Sequence, residues 1–369
     1  MPIHAATFLE LTEAALDADF TRLRRIANAT ARELAADGNE EAAVKLRAML
    51  RRRAVPLRAS GHIEQLPVDQ KSRLPLLEEQ DAPSTPIFLD EKAGNVISDF
   101  IWDAEHAHVL EERGISGRMN LLLSGPPGTG KTSLAAHIAQ ALNRPLYVVR
   151  LDSVVSSLLG DTSKNVRALF DFFSGKGGIL FLDEMDAIAK LRDDRQELGE
   201  LKRVVNTVLQ GLDSAGERSI VIGATNHPQL LDPAIWRRFP YKLDLDLPSR
   251  DVRAQMWNYF LFEDADVDTS GALAEASDGL TGADIQAVSY AARRHAALAR
   301  SEGIDIPSVA AALAGSQRGN AALPPRAGIK ADDHRRIALQ LAERGLNAPK
   351  IGLLLGVSRQ WALKLLKED

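Results

Sequence analysis

Cysteine is absent from this 369-residue sequence, which removes disulfides, thiolate metal sites and cysteine nucleophiles together. There is no excess of basic residues either: the formal net charge of -5 argues against a surface coated for nucleic acid and leaves only a local basic patch open. No apolar run approaches the roughly 18 residues of a membrane span. The start of the chain lacks a basic region followed by an apolar core, so the expectation is a cytoplasmic protein with no membrane contact. What is present is 45% hydrophobic residues in a chain long enough to bury more than one core.

The richest stretch is 121–133, LLLSGPPGTGKTS, where a short apolar run breaks into a loop punctuated by glycine and proline and ending in Lys-Thr. Its GxxxxGK[ST] spacing between a strand pattern and a helix pattern is that of a phosphate-binding P-loop. Gly125, Gly128 and Gly130 let backbone N–H groups turn inward around a phosphate chain, and Pro126, Pro127, Thr129 and Ser133 complete the loop. The helix opening at Lys131 adds its unsatisfied N-terminal donors. Lys131 is expected to reach the β- and γ-phosphates of ATP, and the Thr132 hydroxyl to ligate Mg²⁺. Downstream, GILFLDEMD at 178–186 is a second apolar strand, delivering two adjacent carboxylates to the sheet edge where phosphates sit. Asp183 is expected to hold Mg²⁺, and Glu184 to orient and polarise the attacking water.

Helix and strand patterns alternate around these motifs. A helix is expected over 90–113, a strand over 145–151, and a helix from Ser163 with Val166, Leu169, Phe170 and Phe173 on one face. The domain boundaries read as an N-terminal helical unit at 1–54, a proline-punctuated linker at 55–88, an α/β nucleotide-binding domain at 89–248, a helical region at 249–315, a second linker at 316–330 and a small helical unit at 331–369. Ser249 and Thr281 suit the N-caps of two helices in that region. Asp332 and Ser358 suit the caps of the first and third C-terminal helices, and 348–355 reads as the second. The run Arg51, Arg52 and Arg53 reads as a solvated helix end.

Several motifs in order, GPPGTGKT, ILFLDEMDAI, GELKRVVNTVLQGLD at 199–213 and IVIGATNHPQLLDPAIWRRF at 220–239, resemble the AAA+ ATPases of the branch containing katanin, spastin and FtsH. The resemblance runs over about 90–315. It implies an α/β P-loop NTPase fold, with a five-stranded parallel sheet whose last strand is 243–247 and a C-terminal helical lid over 249–315; the small helical units at 1–54 and 331–369 flank that fold. It implies ATP hydrolysis by a ring or helical oligomer, usually six-membered. Asn226 aligns with the sensor-1 position that helps place the lytic water, and Arg237 and Arg238 with the arginine fingers supplied to a neighbouring subunit. Gly282 and Ala283 align with the lid segment near the nucleotide base. The resemblance further implies a protein substrate or partner, with a subtilisin-like protease as one candidate. The N-terminal unit resembles partner-binding units of such ATPases, without a motif that names the partner. Where the family carries an aromatic pore-loop residue, this sequence has Leu158, Leu159 and Gly160, an aliphatic and weaker grip on a threaded polypeptide.

The last unit resembles a helix-turn-helix of bacterial recombinases and repressors. Arg359, Gln360 and Lys364 are expected on its outward face, suited to phosphates and base edges of DNA. Trp361 near that face and Ala362 in the core depart from the usual pattern, and protein docking stays open as the alternative.

Overall fold

The apolar runs at 121–123, 179–182 and 220–222 are buried without interruption because each is a strand covered on both faces of a sheet. Their side chains alternate with the pleat. Leu121, Leu123, Ile179, Phe181, Ile220 and Ile222 enter one core, and Leu122, Leu180, Leu182 and Val221 the other. The computed structural model describes residues 26–31, 34, 42–44, 67, 68, 75–115, 117–151, 159–174, 177–187, 198–215, 219–261, 266–301, 303–326, 328–330 and 332–367. Most of the expected N-terminal unit at 1–54 lies outside them; residues 26–31, 34 and 42–44 are helical.

In chain order the α/β part comprises β1 (Glu78–Gln80), α1 (Glu91–Glu105), α2 (Ala107–Glu112), β2 (Asn120–Ser124), α3 (Lys131–Ala141), β3 (Leu146–Arg150), α4 (Leu159–Phe173), β4 (Ile179–Asp183), α5 (Leu198–Ser214), β5 (Ile220–Thr225), α6 (Pro233–Trp236) and β6 (Tyr241–Asp244). The strand order is β1-β3-β4-β5-β2-β6. Five strands are parallel, and β1 adds an antiparallel edge in which Gln80 faces Leu146. The five-stranded expectation is corrected by this sixth strand, which comes from the stretch read as linker. Helices α1 and α3 cover one face, through Ile97, Phe100, Leu134 and Ile138. Helices α4 and α5 cover the other, through Leu169, Phe173, Val208 and Leu212. The helix expected over 90–113 is two helices, the first capped by the Asp90 carboxylate accepting from Ala93 N at 2.7 Å. The last strand ends at Asp244 rather than running to 247, although Leu245 N still donates to Ser124 O at 2.8 Å.

The lid consists of α7 (Arg250–Phe260), α8 (Val267–Ala276), α9 (Gly282–Ala299) and α10 (Ile306–Gly315). Ser249 and Thr281 cap α7 and α9 as the sequence predicts, the latter in a reciprocal capping box with Asp284. Fully buried Trp257 sits in the lid core and donates from its ring nitrogen to Ser277 Oγ at 2.9 Å. The C-terminal helices α11 (Asp333–Glu343), α12 (Ala348–Leu355) and α13 (Arg359–Lys367) enter that same core: Ile337, Leu341, Ile351, Leu354 and Ala362 cluster with Trp257, Leu273 and Leu313. Asp332 makes no side-chain cap, because its backbone is already helical rather than extended.

Helices α4 and α5 pack so closely that a Cβ added at Gly211 would lie 2.1 Å from the Phe170 ring, itself buried in the core. Alanine in a helix interior ordinarily gains about 1 kcal/mol over glycine, whereas overpacking a fixed ring costs about 1–3 kcal/mol. Gly211→Ala is therefore expected to lower the thermal midpoint. An unchanged or higher midpoint would show that the Phe170 ring yields.

Candidate active site

All the sequence-singled groups of the two motifs leave the carboxyl edge of the parallel strands. Strand β2 runs directly into the P-loop, β4 ends at Asp183, and β5 lies between them, so Asn226 leaves the sheet between the two motifs. Glycine is demanded here by both conformation and space. Gly125 has φ 139°, and a Cβ on it would meet Leu245 O at 2.2 Å; Gly128 has φ 80° and stands against the Thr281 side chain of the lid. The Thr129 hydroxyl donates to Pro126 O at 2.9 Å and tightens the loop.

Lys131 opens α3 and is 8% exposed. Its ammonium donates to Gly125 O at 2.8 Å and Pro126 O at 2.9 Å. Burial pulls it below the usual lysine range, opposed by the negative charges of Asp183 and Asp186, which favour the ammonium. The Thr132 hydroxyl donates to Asp183 Oδ2 at 3.3 Å, while Asp183 Oδ1 accepts from Glu184 N at 2.9 Å. Two oxygens bound side by side on an octahedral Mg²⁺ at about 2.1 Å stand about 3 Å apart, so this hydroxyl and carboxylate suit that ion. A single carboxylate is enough where phosphates and water fill the other positions. Among the described residues no cluster of three or more His, Cys, Asp or Glu side chains competes as a metal site.

Glu184 holds φ 55°, a left-handed conformation rare outside glycine, at the turn that follows β4. The turn is fixed by a residue to which the sequence reading gave no role. Asp186, 1% exposed, accepts at Oδ1 from Thr225 Oγ1 at 3.1 Å and from Asn226 N at 3.2 Å, tying the turn after β4 to the end of β5. Met185 N donates to Ala224 O at 2.9 Å and adds a second tie. The second aspartate of DEMD, spaced to follow the strand, was the available signal.

The lid closes over the loop. Ala283 N donates to Gly128 O at 3.2 Å, and a cleft beside it is lined by Leu89, Asp90, Thr129, Val252, Met256 and Gly282. Of these, Leu89, Val252 and Met256 are apolar walls that no motif marks. Arg237 and Arg238 stand elsewhere. Asn120, at the amino end of β2, donates from its side chain to Arg238 O at 2.9 Å, whereas the P-loop leaves the carboxyl end. Four strand steps of ~3.3 Å separate those ends, about 13 Å before any loop is added. The Arg238 guanidinium is consumed locally: Nη2 and Nε donate to the Asp213 carboxylate at 2.8 and 3.0 Å, and Nη1 to Ala234 O at 2.9 Å. Arg118 joins Asp213 from the other side at 2.5 Å. The Arg238 hydrogen bonds hold the Asp213 carboxyl below the ordinary carboxylate range. Arg237 is exposed, and its side chain makes no ion pair or hydrogen bond among the described residues. Leu159 opens α4, and Leu158 lies outside the described residues.

Residues 121–247 match the family described as ATPase family associated with various cellular activities (AAA). An uncharacterized AAA family ATPase of Sinorhizobium fredii is 41% identical over 42% of this chain and 46% of its own length. The 26S proteasome regulatory subunit 6A of Saccharomyces cerevisiae is 31% identical over 62% of this chain and 56% of its own. The chain thus spans about half the length of these curated relatives. The crystal structure of the FIGL-1 AAA domain in complex with ADP superposes with a TM-score of 0.50 at 26% identity, over 61% of this chain and 76% of that one. Among the described residues no helix is long and apolar enough to cross a membrane. Residues 121–247, with their P-loop and carboxyl-edge acids, are a domain of the AAA ATPase family.

Proposed function

We propose that the chain hydrolyses ATP with Mg²⁺, works as a ring-forming oligomer, and spends the energy on remodelling a protein substrate or partner. The observation that carries the chemistry is the Thr132–Asp183 oxygen pair at the mouth of the P-loop, with Glu184 directly after it. Backbone N–H groups of 128–132 and the Lys131 ammonium bind the phosphates, and Lys131 exchanges its two carbonyl partners for phosphate oxygens. Thr132 and Asp183 would hold Mg²⁺, which neutralises charge developing on the phosphates. Glu184 accepts a proton from the attacking water as the water oxygen bonds to the γ-phosphorus. The bond from that phosphorus to the bridging oxygen breaks, and its electron pair leaves with ADP. Asn226 orients the same water from the neighbouring strand, and Gly282 and Ala283 meet the base at the lid.

A protein substrate is favoured by likeness to a chain named as a proteasome regulatory subunit, and Leu158 and Leu159 at the pore-loop position would give it an aliphatic, weaker grip than an aromatic residue. A subtilisin-like protease is one partner that fits this reading. Phosphate release by the full chain should rise several-fold on adding an unfolded polypeptide such as casein. Glu184→Gln held in ATP should retain its protein partner through purification. Hydrolysis that no polypeptide alters, together with an empty trap, would remove the protein-remodelling part of the reading.

A further inference from the structure

The outward face of α13 is a polar and basic stripe on a helix whose inner face belongs to the lid core. Gln360, Lys364 and Lys367 recur at i, i+4 and i+7 and are exposed, with Arg359 exposed at the helix start. Lys367 was not singled out from the sequence. No Asp or Glu occurs between Arg344 and Lys367, with Glu343 just before that stretch and Glu368 and Asp369 just after it. Arg344 and Lys350 are turned to structural use: Arg344 donates to Ala276 O at 3.1 Å and to Ser316 O, and Lys350 pairs with Glu275 of α8. Arg359, Lys364 and Lys367 make no ion pair among the described residues. Three outward cations on a helix that itself carries no carboxylate suit a polyanion.

The mounting of α13 is stiff. Ser358 Oγ accepts from Trp361 N at 3.2 Å, and Val357 N donates to Gly352 O at 2.8 Å. A Cβ on Gly352 would come within 2.9 Å of Val357 O, so the turn backbone lies directly on α12. Trp361 is the one large apolar side chain on the outward side of α13, and His334 of α11 meets its ring edge-on at 5.3 Å. A single-helix edge of this kind fits the roughly 12 Å major groove of B-form DNA, whereas the A-form RNA major groove is too narrow to admit it.

The lid connects this face to the P-loop. Ala283 N holds Gly128 O, the Thr281–Asp284 box opens α9, and Asp284 Oδ2 accepts from Gly319 N at 3.2 Å in the segment leading to α11. With the shared core and the Arg344 and Lys350 ties, α7–α13 form one packed body bonded to the nucleotide loop. We propose that α13 binds duplex DNA through Gln360, Lys364 and Lys367, and that its rigid fusion to the lid makes DNA affinity depend on the nucleotide at the P-loop. The second half rests on the proposed ATP binding. Linkage requires the dependence to be reciprocal.

The test is fluorescence anisotropy of the full chain with a labelled mixed-sequence duplex of about two helical turns. Binding is expected at about 50 mM salt and should weaken steeply by about 200 mM. Lys364→Ala with Lys367→Ala should flatten the log-log salt slope by up to about two units, and Lys-to-Arg replacements should restore it. The alanine pair should leave DNA-free phosphate release unchanged. Glu184→Gln should differ at least about fivefold in duplex affinity between ATP and no nucleotide, and Lys131→Ala should not. No duplex binding by the unaltered chain at low salt, or binding indifferent to the alanine pair, would overturn the proposal. Equal duplex affinity with and without ATP, when ATP is measured to be bound, would overturn the coupling. Failure of ATP to bind at all would instead strike the ATPase reading and leave the anisotropy and salt-slope result standing.

Discussion

Glu184→Gln is expected to bind ATP as the unaltered chain does and to lose about 10²- to 10⁴-fold in kcat. The replacement keeps the length and shape of the side chain and leaves the left-handed backbone at φ 55° as it is, so the turn ties through Asp186 to Thr225 and Asn226 persist. What it removes is the proton acceptor for the attacking water, an interaction needed in the transition state and not in the bound ground state. The loss corresponds to about 3–5 kcal/mol of barrier. Lys131→Ala is the contrasting case. Its ammonium is the buried cation of the loop, so removing it should abolish nucleotide binding itself. Titration with a fluorescent ATP analogue and steady-state phosphate release separate the two. Equal turnover by Glu184→Gln and the unaltered chain would show that another group takes the proton.

The two motifs and the strands that carry them were legible because their causes are local. A short apolar run such as ILFL, bounded by glycines and an acidic pair, suits a strand buried on both faces, and Ile179 and Phe181 do part from Leu180 and Leu182 into separate cores. Capping at Ser249 and Thr281 is equally local, since the bond spans three residues. Asp332 shows the limit: an acceptable cap residue does not cap when the chain around it has already turned helical. Strand β1 was hidden because Glu78, Glu79 and Gln80 are all exposed, show no alternation, and are recruited by main-chain pairing with residues about seventy positions away. The helix faces of α11–α13 were visible, but an apolar stripe does not state which core it joins, and here it joins the lid. Asp213 looks in sequence like any solvated carboxylate, and Asp186 is marked only by its place just after the strand. Their work exists only once β5 and the segment after α6 are brought beside them.

The arginine pair shows the same limit with the largest catalytic consequence. The sequence offers Arg237 and Arg238 equally, whereas the structure commits Arg238 to Asp213 and Ala234 and leaves Arg237 exposed. The family resemblance offers both arginines to a neighbouring subunit; we propose that Arg237 is the one that reaches the γ-phosphate there and that Arg238 positions it by clamping the segment to Asp213, which Arg118 also holds. Neither can serve its own site, because the segment is held at the amino end of β2, one strand length from the P-loop. A guanidinium brought to the transferring phosphoryl group stabilises the transition state more than bound ATP. Arg237→Ala should therefore keep ATP affinity and lose about 10³- to 10⁵-fold in kcat, or about 4–7 kcal/mol. Arg238→Ala and Asp213→Asn should each lose less, resemble one another, and cost little stability, since exposed ion pairs contribute about 0–1 kcal/mol. Mixing Arg237→Ala with Lys131→Ala, each inactive alone, should restore turnover, because some interfaces then join an intact nucleotide pocket to an intact Arg237. Specific activity of the unaltered chain should rise with protein concentration as the oligomer assembles. Concentration-independent turnover by a strict monomer, or an Arg237→Ala, Arg238→Ala chain with unchanged kcat, would show that these arginines serve only to hold the segment.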